Sequence, residues 1–533
     1  MAIPNKIEPV DTTLVNQSLQ KVAKGAGIVF VGTIIGMILG FLQRVLIARH
    51  YTQAEYGVFS LALVLLNIFA VIATLGLQEG AARQIAYYRG KKDDKKVKGV
   101  IISSIEIALI ASIIFSLILF FSSNFLSIKI FHERQLIKTL KILSIALPFF
   151  VLINVLVAIA RGFNDVKPRV YFQNILRNIL FISLLIIIIW FGLSFLEVIY
   201  AFSFSIIISC VLFAIYVVRK YVVRKIPFPA RKDKDATLFT RKELLFFSFP
   251  LLAVTMLNMI MTWTDTLMLG YFKTATIVGI YNAALPLGQF ISAALTSMLF
   301  IYMPVVSELY AKNREYEIKK SYAILTKWLC GSTFPIAIIF VLFPSAILDF
   351  LFGYRYAIAS VALQVLAIGF FINNLMGPNG ATLIAMGKTK FLLYATFAAA
   401  SINIILNAFL IPIYGIDGAA IATVTALISI NIIRSIKLYS ISKIHSLEKN
   451  IIKPIISSIV LVFIIYYIAK NFLTVTFWML PILFIILLIL YGFSLLLTKS
   501  FDREDLEMLI AIENKTGINL KTVKNILKNF YLK

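Results

Sequence analysis

Fourteen apolar stretches recur from one end of this 533-residue chain to the other, and no other feature limits its fold as severely. Each runs to about 18 to 25 residues, long enough to cross the ~30 Å of hydrocarbon in a bilayer as one helix. They begin near Ala26, Gly57, Gly99, Leu140, Tyr171, Glu197, Leu244, Thr276, Ser321, Ile358, Phe391, Ile416, Pro454 and Thr474. The expected fold class is therefore all-α integral membrane, with fourteen transmembrane helices. Composition agrees: 60% of residues are hydrophobic and 14% charged, with a mean hydropathy of +0.92, which no ordinary soluble protein shows. The first stretch follows a polar tail holding Lys21 and Lys24. It is too long for a signal-peptide core and ends without a small-residue cleavage site, so it is expected to stay in the mature protein.

A formal charge of +26 invites a nucleic-acid reading, but its distribution argues against one. With the amino terminus placed in the cytoplasm, inward segments carry 41 of the 51 Lys and Arg, outward segments carry 8, and Arg44 and Arg177 lie within helices. Basic residues concentrated on one side orient membrane helices. Both termini are therefore expected in the cytoplasm, and the basic clusters at 83–98 and 219–242 are expected to meet anionic lipid head groups.

An internal repeat organises the chain. The end of span one, Arg44-Val-Leu-Ile-Ala-Arg-His-Tyr51 followed by Ala54-Glu-Tyr-Gly57, returns at the end of span seven as Asp265-Thr-Leu-Met-Leu-Gly-Tyr-Phe272 followed by Ala275-Thr-Ile-Val-Gly279. A second echo pairs Ala160-Arg-Gly162 with Ala385-Met-Gly387. Six crossings separate each pair, so the halves insert the same way up and form a parallel repeat, with a central site between two lobes. The organisation expected is a cytoplasmic tail at 1–24, an N-lobe of helices 1–6 at 25–218, a basic cytoplasmic linker at 219–243, a C-lobe of helices 7–12 at 244–438, helices 13 and 14 at 452–498, and a cytoplasmic amphipathic tail at 499–533. Two six-helix lobes related by a parallel pseudo-two-fold axis, plus two C-terminal helices, complete the expected architecture.

Charges at membrane depth cost several kcal/mol unless they face a partner or a wet cavity, which makes them site candidates. Arg44 and Asp265 occupy equivalent positions in the two halves with opposite signs, and two arrangements are open: an outer-gate ion pair between them while the protein is open to the cytoplasm, or local pairing of Asp265 with Arg44 binding only substrate. Span five opens with Gln173, Asn174, Arg177 and Asn178, which spacings of three and four place on one helix face. In the second half Asn258, Thr262, Asp265 and Thr266 form one stripe; Asn282, Gln289, Ser292 and Thr296 form another; Asn403 and Asn407 lie one turn apart. Interhelical hydrogen bonding alone could account for any one stripe. Several together favour a wet cavity. Glu106 in span three is a candidate for ion coupling or for pairing with a basic residue. Cys210 and Cys330 both fall in apolar spans, His50, His132 and His445 are scattered, and no metal spacing, phosphate-binding glycine loop or nucleophile elbow occurs, so neither catalysis nor a metal or other cofactor is expected.

Gly40-Phe-Leu-Gln-Arg44 with Ala48, the turn Ala54-Glu-Tyr-Gly-Val-Phe-Ser60, Pro304-Val-Val-Ser307-Glu-Leu309 and Tyr414-Gly-Ile-Asp-Gly-Ala-Ala-Ile-Ala422 stand in an order that resembles the polysaccharide (O-antigen-type) flippases. These belong to the multidrug/oligosaccharidyl-lipid/polysaccharide exporter superfamily, and the resemblance covers about residues 20–498. It implies alternating access and outward translocation of a polyprenyl-phosphate- or pyrophosphate-linked oligosaccharide for cell-surface glycan biosynthesis. The lipid II branch carries an arginine in helix two; the stretch around Thr74 has none, so that branch's substrate does not carry over. Such a ligand needs a cation for its phosphate and neutral hydrogen-bonding groups for its hydroxyls. Guanidinium suits phosphate because it is forked and stays charged. Arg44, Arg177, Gln173, Asn174, Asn258, Asn282, Asn403 and Asn407 are the substrate-binding candidates, and Asp265 and Glu106 those for gating or ion coupling. The partners expected are the polyprenyl-linked glycan and membrane lipids, with a glycan polymerase or glycosyltransferases as further candidates. The driving forces expected are the membrane potential, H+ or Na+, and the location expected is the inner or plasma membrane. The competing reading is a proton- or sodium-coupled multidrug exporter, with Asp265 or Glu106 as its ion site.

Overall fold

The computed structural model describes residues 12–223, 234–445 and 479–497, with Lys453, Ile456 and Tyr467. No strand occurs among the described residues. The helices are α1 (Thr12–His50), α2 (Gln53–Thr74), α3 (Leu77–Gly90), α4 (Asp94–Phe125), α5 (Gln135–Gly162), α6 (Arg177–Trp190), α7 (Phe195–Val217), α8 (Lys234–Phe272), α9 (Ala275–Ala311), α10 (Glu315–Leu342), α11 (Pro344–Phe352), α12 (Ser360–Leu375), α13 (Asn379–Ala385), α14 (Thr389–Ser442) and α15 (Met479–Leu497). Eleven helical stretches among the described residues are long and apolar enough to cross a membrane. The protein is thus an all-helical membrane protein. Side chains such as Phe246, Trp190 and Phe121, 85%, 81% and 75% exposed, present apolar surface outward, as a bilayer-facing exterior requires.

Two boundaries differ from those expected. The polar tail is already helical from Thr12, and α8 begins at Lys234 inside the expected linker, because polar residues flanking an apolar run extend a helix as readily as they end one. The expected break between spans eleven and twelve falls inside α14, at Gly415 with φ 56° and ψ −125°, a conformation glycine alone adopts without strain. Expected span thirteen starts at 454 and, like the tail 499–533, falls almost wholly outside the described residues; α15 lies within expected span fourteen.

The chain divides into two compact units, 1–43 with 69–120 and 142–253, and 44–68 with 121–141 and 254–533. In the first, Ala81 and Ala82 of α3 pack on Ala158 of α5. Beyond α5, Asp165 accepts hydrogen bonds from Lys220 Nζ at 2.5 Å and Tyr221 Oη at 2.7 Å, while Phe163 stacks on Tyr221 at 4.5 Å. Burial pushes the Asp165 carboxyl up, but the lysine and tyrosine outweigh it and hold the group below the ordinary carboxylate range.

In the second unit, Tyr302, Ile318, Tyr322, Leu325 and Leu438 form the core between α9, α10 and α14. There the first turns of α2 and α9, the repeat-related segments, meet backbone to backbone. A Cβ on Gly57 would lie 1.7 Å from the Ala275 carbonyl oxygen, and one on Gly279 would lie 2.2 Å from the Gln53 carbonyl oxygen. Each glycine thus faces the carbonyl one turn upstream of the other. Tyr56 Oη donates to the Asn282 carbonyl at 3.0 Å, Gln53 Nε2 donates to the Arg355 carbonyl at 2.7 Å, and Arg49 Nε donates to the Leu351 carbonyl at 2.9 Å.

Candidate functional site

In the first unit, the polar residues that open span five divide between two neighbouring helices instead of sharing one face. The segment Arg169–Leu176 is a π-helical turn, and Arg177 starts α6. Residues four apart fall on the same side, so the four residues form two pairs, 173 with 177 and 174 with 178. Asn174 and Asn178 turn toward α1, donating to the carbonyls of Gly32 and Gly36 at 3.4 Å each. Gln43 Nε2 closes that seam on Asn178 Oδ1 at 3.2 Å. The glycines let the helices approach: a Cβ on Gly32 would meet Val170 at 2.2 Å. Gln173 and Arg177 turn toward α5, where Gln173 Nε2 donates to Asn154 Oδ1 at 3.1 Å and the Arg177 guanidinium stands 5.8 Å from the Phe150 ring centroid. Arg177 has no ion pair among the described residues. Its Nε is buried without a hydrogen-bond partner. A guanidinium so placed has its stem fixed by packing and its charge uncompensated, which suits it to an anionic ligand. Glu106, in the same unit, pairs with Arg241.

In the second unit Asp265 is caged. Only 3% exposed, its carboxylate accepts from Tyr281 Oη at 2.8 Å, Asn407 Nδ2 at 2.8 Å, Asn403 Nδ2 at 3.3 Å and Thr423 Oγ1. All four donors are neutral, and they come from α9 and both halves of α14. The ion pair between Arg44 and Asp265 is absent: neutral donors of its own half already surround the carboxylate, and Arg44 stands beside the Tyr56 hydroxyl. Asn403 and Asn407 are fully buried, and each turns its Nδ2 to the carboxylate while its amide oxygen has no hydrogen-bond partner among the described residues.

Asn282 is buried between helices, its amide donating to Thr266 Oγ1 at 3.3 Å and the Val278 carbonyl at 2.9 Å. Asn258 is different. It lines a cavity of 630 Å3 in the second unit together with Asn373, Asn379, Thr396, Asn431 and Arg434. Sequence reasoning passed over these five, as well as Tyr281, Thr423 and Gln43. Arg434 was discoverable, since it lies inside the expected C-lobe helices at 244–438. The amides carried no such signal, because neighbours from separate helices give them their role.

A family model described as polysaccharide biosynthesis protein matches residues 22–310, and one described as MatE matches residues 250–409. A putative O-antigen transporter of Shigella flexneri is 26% identical over 392 residues, 72% of this chain and 88% of that protein. A probable low-salt glycan biosynthesis flippase of Haloferax volcanii is 26% identical over 404 residues, 74% of this chain and 78% of that protein. Among solved structures, the lipid II flippase MurJ in an inward closed conformation superposes with a TM-score of 0.65 at 18% identity, covering 90% of this chain and 99% of that one. That likeness shows a shared fold.

Proposed function

This chain belongs to the polysaccharide biosynthesis protein family, and we propose that it is a flippase moving a polyprenyl-phosphate- or pyrophosphate-linked oligosaccharide from the cytoplasmic to the outer leaflet by alternating access. The observation that carries the reading is Arg177, a membrane-embedded guanidinium with no counter-ion among the described residues and Gln173 beside it. A transported phosphate supplies the missing charge and its sugars engage the amides. The names of two relatives, an O-antigen transporter and a glycan biosynthesis flippase, support the same substrate class.

The architecture we assign is fourteen helices in two six-helix lobes about a pseudo-two-fold axis, plus two C-terminal helices, with both termini in the cytoplasm of an inner or plasma membrane. The reciprocal approach of Gly57 and Gly279 supports it, since a two-fold axis brings equivalent glycines together. In this topology the α2 and α9 contact seals the outer side. Substrate enters from the cytoplasm, the seal parts, and the glycan leaves outward to the enzymes that polymerise or transfer it. A flipped pyrophosphate carries about two negative charges, and each gains ~2.3 kcal/mol per ~100 mV when leaving a negative interior. The caged Asp265 accepts a proton or Na+ and couples that ion to lobe movement.

Reconstitution tests the reading. Proteoliposomes holding the protein and a fluorescent lipid-linked oligosaccharide should expose the dye to an external quencher faster than empty liposomes, and Arg177→Ala should slow this about tenfold or more, the loss of one charge-assisted contact. Ion-driven efflux of amphipathic cations with no glycan flipping would instead identify a drug exporter.

A further inference from the structure

The cavity in the second unit is built around a cation that sequence reasoning counted only toward topology. The Arg434 guanidinium donates from Nη2 to Thr396 Oγ1 at 3.3 Å, its Nε is buried without a hydrogen-bond partner, and it makes no ion pair among the described residues. It is too far from the end of α14 to neutralise the helix dipole, whose influence fades beyond the last turn. Gly380 makes room for it, since a Cβ there would lie 3.3 Å from Nη1.

Beside Arg434 runs a chain of amides. Asn431 Nδ2 donates to Asn373 Oδ1 at 2.9 Å, and Asn379 Nδ2 donates to Asn431 Oδ1 at 3.0 Å and to Ser435 Oγ at 3.2 Å. These bonds hold the amides in fixed orientations along the wall. No Asp or Glu lines the cavity, whose second cation is Lys390. The lining also includes the apolar side chains of Leu257, Leu299 and Met303. One fixed guanidinium, oriented neutral amides and apolar side chains together match a ligand with a phosphate between a polyol and a hydrocarbon chain. At 630 Å3 the space falls within the range of about 300 to 1,000 Å3 seen for small-molecule sites, enough for that junction and too small for a long glycan.

We infer that this cavity of the second unit is a phosphate-binding site that holds the phosphate of a prenyl-linked sugar through Arg434, lays the first sugar on the amide chain and the first prenyl units on the Leu and Met side chains. The inference rests on the flippase reading for the identity of the lipid. Its chemistry requires only an anionic amphiphile.

The probe is farnesyl phosphate, titrated against the full-length protein in neutral phosphatidylcholine nanodiscs and read by native mass spectrometry, in an Arg177→Ala background so that the first unit does not report. Farnesyl phosphate should bind well ahead of farnesol and of inorganic phosphate. Arg434→Gln should weaken it about tenfold or more, the fold-change of one lost charge-assisted hydrogen bond, and Arg434→Lys should restore part of the affinity. Gly380→Ala crowds the guanidinium, which must give by a few tenths of an ångström, and should weaken binding to a smaller degree, which keeps the test decisive if Arg434→Gln does not fold. Unchanged affinity in folded Arg434→Gln protein overturns the site. Inorganic phosphate or phosphatidylglycerol binding as tightly as farnesyl phosphate overturns the assignment to a prenyl phosphate. Absent glycan flipping by the wild-type protein, with Arg434-dependent farnesyl phosphate binding intact, would instead defeat the flippase reading and leave this site standing.

Discussion

Adding one methyl group at Gly57 should open the protein to the outside. In the closed contact a Gly57→Ala Cβ would sit 1.7 Å from the Ala275 carbonyl oxygen, where ordinary contact begins at 3.4 Å. The obstructing atom is backbone, so no rotamer change relieves the clash and the first turns of α2 and α9 must separate. Overpacking of this kind costs about 1 to 3 kcal/mol. Charged against one conformation of two, that shifts the population about 5- to 150-fold toward the state in which the turns are apart. A cysteine at Ser60, 8% exposed and one turn below Gly57, reports the shift. In a Cys210→Ala, Cys330→Ala background, a membrane-impermeant maleimide added outside intact cells should label Ser60→Cys slowly, and much faster once Gly57→Ala is added. Gly279→Ala should act the same way. The two alanines together should fall short of additive, because the first already parts the helices. Wild-type labelling and wild-type flipping in folded Gly57→Ala protein would refute the claim that this contact is the outer seal.

Arg177→Lys keeps the charge but loses the fork, so it should retain partial flipping while Arg177→Ala retains far less, with equal amounts of protein in the membrane; equal rates for the two would remove the forked contact from the mechanism. Asp265→Asn replaces the caged carboxylate with a neutral isostere and should abolish any dependence of flipping on an imposed H+ or Na+ gradient, and gradient-dependent flipping surviving in the variant would place coupling elsewhere. Asp165→Asn removes a charge-assisted hydrogen bond to Lys220 worth about 1 to 2 kcal/mol. Because the Asp165 carboxyl is held below its ordinary value, its stabilisation is complete above the usual carboxylate pKa of ~3.9 and is lost as pH falls through the depressed value. Thermal melts of wild type and Asp165→Asn should therefore differ at neutral pH and converge under acid. For topology, Arg134→Cys should label only from outside and Ala311→Cys only from inside; outside labelling at position 311 would invert the orientation.

Which features were legible in the sequence follows from how far each depends on contacts between distant residues. Hydrophobic length is a property of a single segment, so the helical membrane fold could be read directly, as could the break at Gly415 within the Tyr414-Gly-Ile-Asp motif. Intramembrane charge is equally local, and it singled out Arg177 and Asp265. The partners of those charges were another matter. Spacing placed Gln173, Asn174, Arg177 and Asn178 on one face, but two of them meet α1 and two meet α5, the helices packed on either side. Opposite signs at equivalent positions suggested an Arg44 to Asp265 pair. Tertiary packing instead supplied Tyr281, Asn403, Asn407 and Thr423, because a carboxylate buried at 3% exposure is satisfied by whichever donors the surrounding helices bring within 3 Å or so, charged or not. The cavity around Arg434 arises in the same way. Its amides come from three separate helices and become a receptor wall only when α12, α13 and α14 converge, since hydrogen-bond complementarity belongs to positions in space and not to intervals along the chain.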